Sequence, residues 1–343
     1  MSLFIGLVLF SFIIHSVLVV PFINLLYRLK FQRQKQKTLD FQGKHTPIFD
    51  KFHSWKAGTP VGGGLLVIAI TVLLYVLLFP LLKIAGVYIT TNYPLKEELN
   101  IIFFTFISFG LLGLYDDILK FFGFKKEGFF GLRMRHKFII QWILALIVSV
   151  MLYQNLHISF VNIPSIENLH LGLLYIPFAA FVIVGFANAF NITDGLDGLS
   201  SGLLLICLLA FWFISATSLD TPLSVFLALW IGGLIAFLYF NVFPARIWLG
   251  DVGALSFGAT LAVVGLLLGK IVALVVIGGL FILEILSSLI QILAKRFLGR
   301  KIFPASPFHL WLQLIGWEEP KIVMRAWLAG IILAMFGLWL ASF

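Results

Sequence analysis

Cysteine is almost missing from this chain. Cys207 is the single one in 343 residues, which excludes an internal disulfide and, within an apolar run, reads as a small buried hydrophobe. Charge is scarce too: 11% of residues are Asp, Glu, Lys or Arg against 61% hydrophobic, with a mean hydropathy of +1.07, a balance that excludes a soluble globular domain. The first apolar segment lacks a basic n-region and a small-residue cleavage site and is too long for a signal peptide, so it reads as an uncleaved helix. No low-complexity tract or internal repeat is visible, which argues against the inverted-repeat design of many transporters.

What the chain does have is apolar runs of the length that crosses roughly 30 Å of hydrocarbon, about 20 residues each. Ten are expected near 3–27, 61–83, 99–115, 137–157, 171–190, 199–217, 222–243, 252–269, 271–294 and 323–342. Such segments satisfy every backbone amide internally only as helices. The fold class is therefore an all-α polytopic membrane protein of about ten transmembrane helices, read as one domain over residues 1–343. Residues 158–170, with Pro164, carry a weak hairpin signal.

The basic residues orient the bundle, because cytoplasmic loops carry the Lys and Arg excess. Assigning alternate loops to one side places 21 of the 24 there, in loops near 28–60, 116–137, 244–251 and 295–325, and leaves Lys83, Lys96 and Lys270 for the other. Both termini are then expected outside the cytoplasm, with a further cytoplasmic loop near 191–199. The net charge of +9 is accounted for by this topology and by attraction to anionic lipid.

Topology does not account for the carboxylates. Asp116 and Asp117, Asp194 and Asp197, and Asp251 fall at the cytoplasmic ends of expected helices, although an ionised carboxylate near hydrocarbon is costly and usually marks an ion or substrate path. Asp116-Asp117 with Lys120 suits a site holding a divalent cation and a phosphate together, since hard oxygens take Mg²⁺ and an ammonium neutralises phosphate; an ordinary salt bridge between Asp116 and Lys120 explains the same residues. In 188–199, two Asn, two Asp and two Gly interrupt the apolar pattern, which fits a polar ligand approached closely by backbone; a turn with an Asx cap is the plain alternative. Asp251, between Gly250 and Gly253, either caps a helix or binds a cation. Trp248 offers a face to a nucleobase or anchors at the membrane interface.

These motifs in this order resemble the polyprenyl-phosphate N-acetylhexosamine-1-phosphate transferase superfamily, and within it the muramoyl-pentapeptide branch. The resemblance runs from Lys56 to Trp327. It rests on Lys56-Ala57-Gly58-Thr59-Pro60 followed by Gly62 to Gly64, Asp-Asp-x-x-Lys at 116–120, Gly131-Leu132 leading to Lys137 and Gln141, the block at 188–199, Pro244-Ala245 to Gly250-Asp251, Glu284 to Gln291, and Pro307-Phe308-His309 ending in Gly316-Trp317. Thr193 and the stretch from Gly316 through Glu318-Glu319-Pro320 to Arg325 and Trp327 favour the muramoyl-pentapeptide branch.

The resemblance implies a Mg²⁺-dependent transfer of phospho-N-acetylmuramoyl-pentapeptide from its UDP carrier to undecaprenyl phosphate, giving lipid I and UMP in peptidoglycan biosynthesis at the bacterial inner membrane, by an enzyme that pairs as a homodimer. It implies that Asp251 binds the metal with Asp116 and Asp117 beside it, and that Asp116 positions or deprotonates the acceptor. Lys56, Lys120 and Lys137 are implied phosphate contacts, and Thr59, in the same motif as Lys56, is an implied substrate contact. Asn188, Asn191, Asp194 and Asp197 would bind the nucleotide-sugar, Trp248 would stack on uracil where the family usually has Phe, and Gln291 and His309 would close the donor pocket.

The chain departs from the family pattern in three places. His309-Leu310-Trp311 stands where three consecutive His are usual, Val61-Gly62 where Thr and Met are, and Ala254 where Ser is. The lost imidazoles leave open a second reading, an N-acetylglucosamine-1-phosphate transferase for another surface polymer. A third, more distant reading is an ion-coupled transporter, since intramembrane carboxylates also line ion paths.

Overall fold

The computed structural model describes residues 2–32, 52, 56–122, 134–163 and 169–343. The basic residues from Arg33 to Lys51 and from Lys125 to Arg133, the Gly131-Leu132 motif and Pro164 lie outside the described residues. The helices are α1 (Ser2–Arg28), α2 (Gly63–Ile84), α3 (Leu95–Phe122), α4 (Met134–Asn155), α5 (Tyr175–Thr193), α6 (Leu199–Thr217), α7 (Thr221–Asn241), α8 (Gly250–Leu267), α9 (Ile271–Ile277), α10 (Gly279–Leu293), α11 (Phe308–Leu314) and α12 (Glu319–Ala341). Among the described residues, nine helices are long and apolar enough to cross a membrane, and α9 with α10 and the turn that prolongs it to Leu298 pass the same test only together, as a broken span or re-entrant pair bent by 74°.

Each expected segment is thus found, and the differences lie at its ends. α3 continues through Asp116, Asp117 and Lys120 to Phe122, so these residues occupy the last turns of a helix and not the loop expected from 116. At 1.5 Å per residue its 28 residues span about 42 Å, longer than roughly 30 Å of hydrocarbon. The surplus carries the charged ends, with Glu97 and Glu98 in the first turn and Lys120 in the last, toward the interfaces. α4 likewise begins before Lys137, α5 runs to Thr193, and α11 lies within the expected 295–325 loop. The ninth segment breaks at Gly278, where a Cβ would meet the Phe186 ring at 2.5 Å. The hairpin expected within 158–170 is present as β1 (Phe160–Val161) paired antiparallel with β2 (Leu169–His170).

Hydrocarbon gives helices no hydrophobic reason to associate, so packing and interhelical hydrogen bonds hold the bundle. α8 is its axis: 89% of its most apolar window is buried, against 22% for α1 at the periphery. Phe106 of α3, Trp230 of α7 and Phe257 of α8 interlock with centroids 5.1 to 5.8 Å apart, and each such aromatic pair contributes about 0.5–1.5 kcal/mol beyond burial. Ser256 Oγ donates to the Phe106 carbonyl at 2.6 Å, and Ser11 Oγ of α1 donates to Leu229 O at 2.6 Å. At Gly113 the contact becomes backbone to backbone, since a Cβ there would collide with the Asp251 carbonyl. That approach sets the ends of α3 and α8 side by side. Asp220 starts α7 by accepting from Leu223 N at 3.2 Å, with Pro in the first turn.

Candidate active site

About one turn beyond the Gly113 contact, α3 presents Asp116 and Asp117 to Asp251 in the first turn of α8. Asp251 does not cap its helix, whose N-cap is Leu249; its carboxylate is free for the cluster. Lys120 Nζ lies 3.0 Å from Asp116 Oδ2, 3.8 Å from Asp117 Oδ1 and 2.7 Å from Asp251 Oδ2. Lys137, from α4, is 2.9 Å from Asp116 Oδ2 and also pairs with Asp251 Oδ2. Asp117 Oδ2 accepts from Val252 N at 3.1 Å, and Asn191 Nδ2 donates to Asp251 Oδ1 at 3.2 Å. Three helices and the end of α5 therefore meet at one point. The simple Asp116–Lys120 salt bridge is present, as one edge of a five-residue charged cluster.

This arrangement suits a hard cation. Three carboxylates against two ammonium groups leave the cluster one formal negative charge, and the single Lys120 ammonium touches all three carboxylates. No group of three or more His, Cys, Asp or Glu among the described residues forms a preset metal cage. Mg²⁺ needs none, since it keeps several waters and takes one or two carboxylates; the donor set fits it.

A second cluster gathers residues from distant parts of the chain. Lys56 Nζ is 2.7 Å from Asp197 Oδ1 and 2.5 Å from Glu319 Oε1. Glu319 Oε1 also accepts from Asp197 N at 2.7 Å, and Asp197 Oδ2 accepts from Ala245 N at 2.9 Å. The half-buried Trp248 has its ring centroid 5.8 Å from Lys56 Nζ. Its backbone is fixed by pairing with the extended segment before α2: Trp248 N donates to Pro60 O at 2.8 Å, and Gly62 N and Gly63 N donate to Trp248 O at 3.0 and 2.9 Å.

The remaining expected residues are placed around these two groups. Asp194, at the end of α5, accepts from Ser200 Oγ at 2.5 Å. No Asx cap starts α6; its N-cap is Gly198, without a side-chain bond. Asn188 donates to Gln141 Oε1 at 2.6 Å. His309 Nδ1 lies 3.1 Å from Glu284 Oε2, and its backbone N donates to Glu284 Oε1 at 3.1 Å. The other ring nitrogen faces Gly195, where a Cβ would stand 2.6 Å from Nε2, so His309 packs directly on the Asp194-Gly195 turn. Gln291 Oε1 accepts from Ile302 N and Phe303 N, both at 3.0 Å, and its amide donates to Phe303 O at 2.6 Å. Its side chain shapes this loop, bonding Ile302 and Phe303 and neither charged cluster among the described residues. Thr59 is half-buried near Lys56, with its backbone N donating to Lys56 O at 3.3 Å.

Glu319 and Glu284 were not expected as site members. Each sits inside a quoted motif, and the signal was available: a carboxylate within or bordering an apolar segment calls for a partner.

The middle of the chain, residues 99–269, matches the family description "Glycosyl transferase family 4". Full-length relatives extend the likeness. A phospho-N-acetylmuramoyl-pentapeptide-transferase of Geobacillus sp. (strain WCH70) is 32% identical over 337 residues, 97% of this chain and 96% of its own length. Its namesake from Clostridium perfringens (strain 13 / Type A) is 35% identical over 314 residues, 91% of this chain and 90% of its own. That from Caldanaerobacter subterraneus subsp. tengcongensis is 36% identical over 282 residues, 82% and 84% respectively. The chain belongs to the phospho-N-acetylmuramoyl-pentapeptide-transferase family. Within this transferase family member, the 99–269 match holds the five candidate site aspartates, Asp116, Asp117, Asp194, Asp197 and Asp251, but not Lys56, Glu284, His309 or Glu319. The likeness of the residues around the second cluster therefore rests on the full-length relatives.

Proposed function

We propose that this chain transfers phospho-N-acetylmuramoyl-pentapeptide from UDP-N-acetylmuramoyl-pentapeptide to undecaprenyl phosphate, releasing UMP, in the bacterial cytoplasmic membrane. The observation that carries the reading is the convergence of Asp116, Asp117 and Asp251 on one ammonium, in a chain that aligns end to end with transferases of that name. Ten crossings put both termini on the same side, and the basic loops put them outside, so the site opens to the cytoplasm where UDP-linked donors are made. One domain, paired as a homodimer, completes the proposal.

In the reaction, an acceptor phosphate oxygen bonds to the sugar-linked phosphorus while the bond from that phosphorus to the UMP oxygen breaks. Every participant is a polyanion, and catalysis of such transfers is positioning and charge neutralisation. Both clusters carry a formal negative charge, so they repel these substrates until a dication is added. Asp251, with Asp117 and Asp116 beside it, would hold Mg²⁺, which when bound supplies the positive charge that draws in the diphosphate. Lys120 and Lys137, which pair with the carboxylates, are the cations then released toward phosphate oxygens. The acceptor's second pKa of about 6 leaves it largely ionised at neutral pH, so Asp116 orients it and need not remove a proton. Asn191, Asp194 and Asp197 bind the nucleotide-sugar with Lys56, Trp248 stacks on uracil, Asn188 and Thr59 support the same wall, and His309 and Gln291 close it.

A second reading is favoured by one observation. At the two positions after His309, Leu310 is buried and Trp311 packs its ring 5.8 Å from that of Phe303, so these positions offer the donor no imidazole. UMP release by purified protein with Mg²⁺ and undecaprenyl phosphate decides between the donors. Turnover of UDP-N-acetylmuramoyl-pentapeptide is the expected result. Turnover of UDP-N-acetylglucosamine alone would transfer the protein to the neighbouring branch, and ion-driven uptake into vesicles without UMP release would make it a transporter.

A further inference from the structure

Glu319 has no place in the roles assigned above, yet it is the point at which the second cluster closes. One of its oxygens, Oε1, accepts from both Lys56 Nζ and Asp197 N, at 2.5 and 2.7 Å. Lys56 precedes α2, Asp197 lies between α5 and α6, and Asp197 in turn receives Ala245 N from between α7 and α8. The three groups are buried, at 3%, 4% and 7% exposure for Lys56, Asp197 and Glu319. A buried ammonium turns toward the anions that surround it, and removing the Glu319 carboxylate takes away one of the two carboxylates that pair with Lys56. Without it, the Asp197 amide also loses its acceptor.

We infer that Glu319 is a positioning residue for the donor pocket, holding Lys56 and the Asp197 turn in the arrangement that receives the UDP end of the donor. The inference rests on the proposed transferase reading. It has a definite sign. If Glu319 acted only as a charge, it would repel the diphosphate, and Glu319→Gln would tighten donor binding. If it positions, the same substitution loosens binding although it removes a negative charge.

The test measures kcat and KM for the UDP-linked donor, together with the Kd for UMP by calorimetry, on full-length protein in detergent. For Glu319→Gln, a donor KM and UMP Kd raised about 10- to 100-fold are expected, the usual effect of losing one charged hydrogen bond, with kcat within about threefold. Glu319→Asp keeps the charge and restores part of the loss. An unchanged or lowered KM, or a fall in kcat at unchanged KM, overturns the inference. Should Glu319→Gln fail to fold, as judged by its melting curve, Glu319→Asp is read by the same criteria against wild type. UMP titration is independent of turnover: if wild type releases no UMP from any UDP-sugar, the transferase reading fails, while the effect of Glu319→Gln on UMP affinity still decides this inference.

Discussion

Replacing Gly113 with Ala tests the idea that the site is spaced by main-chain contact between α3 and α8. The added methyl would collide with the Asp251 carbonyl and come within 2.6 Å of Val252 Cα, where ordinary contact is 3.4 Å or more. The three atoms nearest to it are all backbone, so no side-chain rotation relieves the clash. The helices must part by about 0.8 Å or more, and a misplacement of about 1 Å at a reacting centre costs on the order of 100-fold in rate. Overpacking of this kind also destabilises by about 1–3 kcal/mol. The expected outcome is kcat/KM for UMP release down about 100-fold, with a lowered melting temperature in the same detergent. Gly6→Ala in α1 is the control, because a Cβ there meets nothing within 4 Å, and its activity should stay within about twofold of wild type. Wild-type turnover by Gly113→Ala would refute the claim that backbone contact sets the distance between Asp117 and Asp251.

Three further outcomes are expected. Asp251→Asn, or EDTA added to wild type, should lower UMP release at least about 100-fold, with Mg²⁺ rescuing only the EDTA sample; activity that persists in EDTA contradicts the metal assignment. Glu284→Gln removes the carboxylate that holds His309 through both ring and backbone and should cost about 10- to 100-fold in kcat/KM, the scale of a charged hydrogen bond, whereas an unchanged value would make the pair irrelevant to turnover. Asp220, outside the spans, has its pKa raised above the ordinary 3.8, chiefly by burial, against the lowering effect of the Leu223 N–H and the Glu98 and Asn92 side chains. A carboxyl raised on folding contributes stability below its unfolded value that is lost as pH rises through the folded one. Asp220→Asn keeps an N-cap and should flatten the pH dependence of the melting temperature above pH 4; a steeper dependence would contradict this.

The spans were legible because a membrane helix advertises itself by length and apolarity alone. Their ends were not, because a boundary drawn from hydropathy stops at the first charge. Asp116 continues α3 since Lys120, one turn on, and Lys137, from α4, neutralise it, and a neutralised carboxylate no longer ends a helix in the interface. The break at Gly278 had no hydropathy signal, as Gly278 and Gly279 sit within an apolar run; it is set by the Phe186 ring against Gly278. The aspartates were legible as a set, and the structure draws Asp116, Asp117 and Asp251 into one cluster. Of their partners, the Asp116–Lys120 pair was legible from its spacing of one helical turn, whereas Lys137 reaches Asp116 and Asp251 from another helix and Glu319 meets Lys56 across 263 residues, pairings that no local pattern encodes.

That separation bears on how the protein is made. A ribosome adding about 5–20 residues per second emits Lys56 roughly 13 to 50 s before Glu319. Throughout that interval the early loop and most of the spans are already synthesised, while the pocket wall lacks its final anchor. Insertion of α12 is then the step that completes the site, and a chain released before it would leave the membrane holding most of the bundle without a finished pocket.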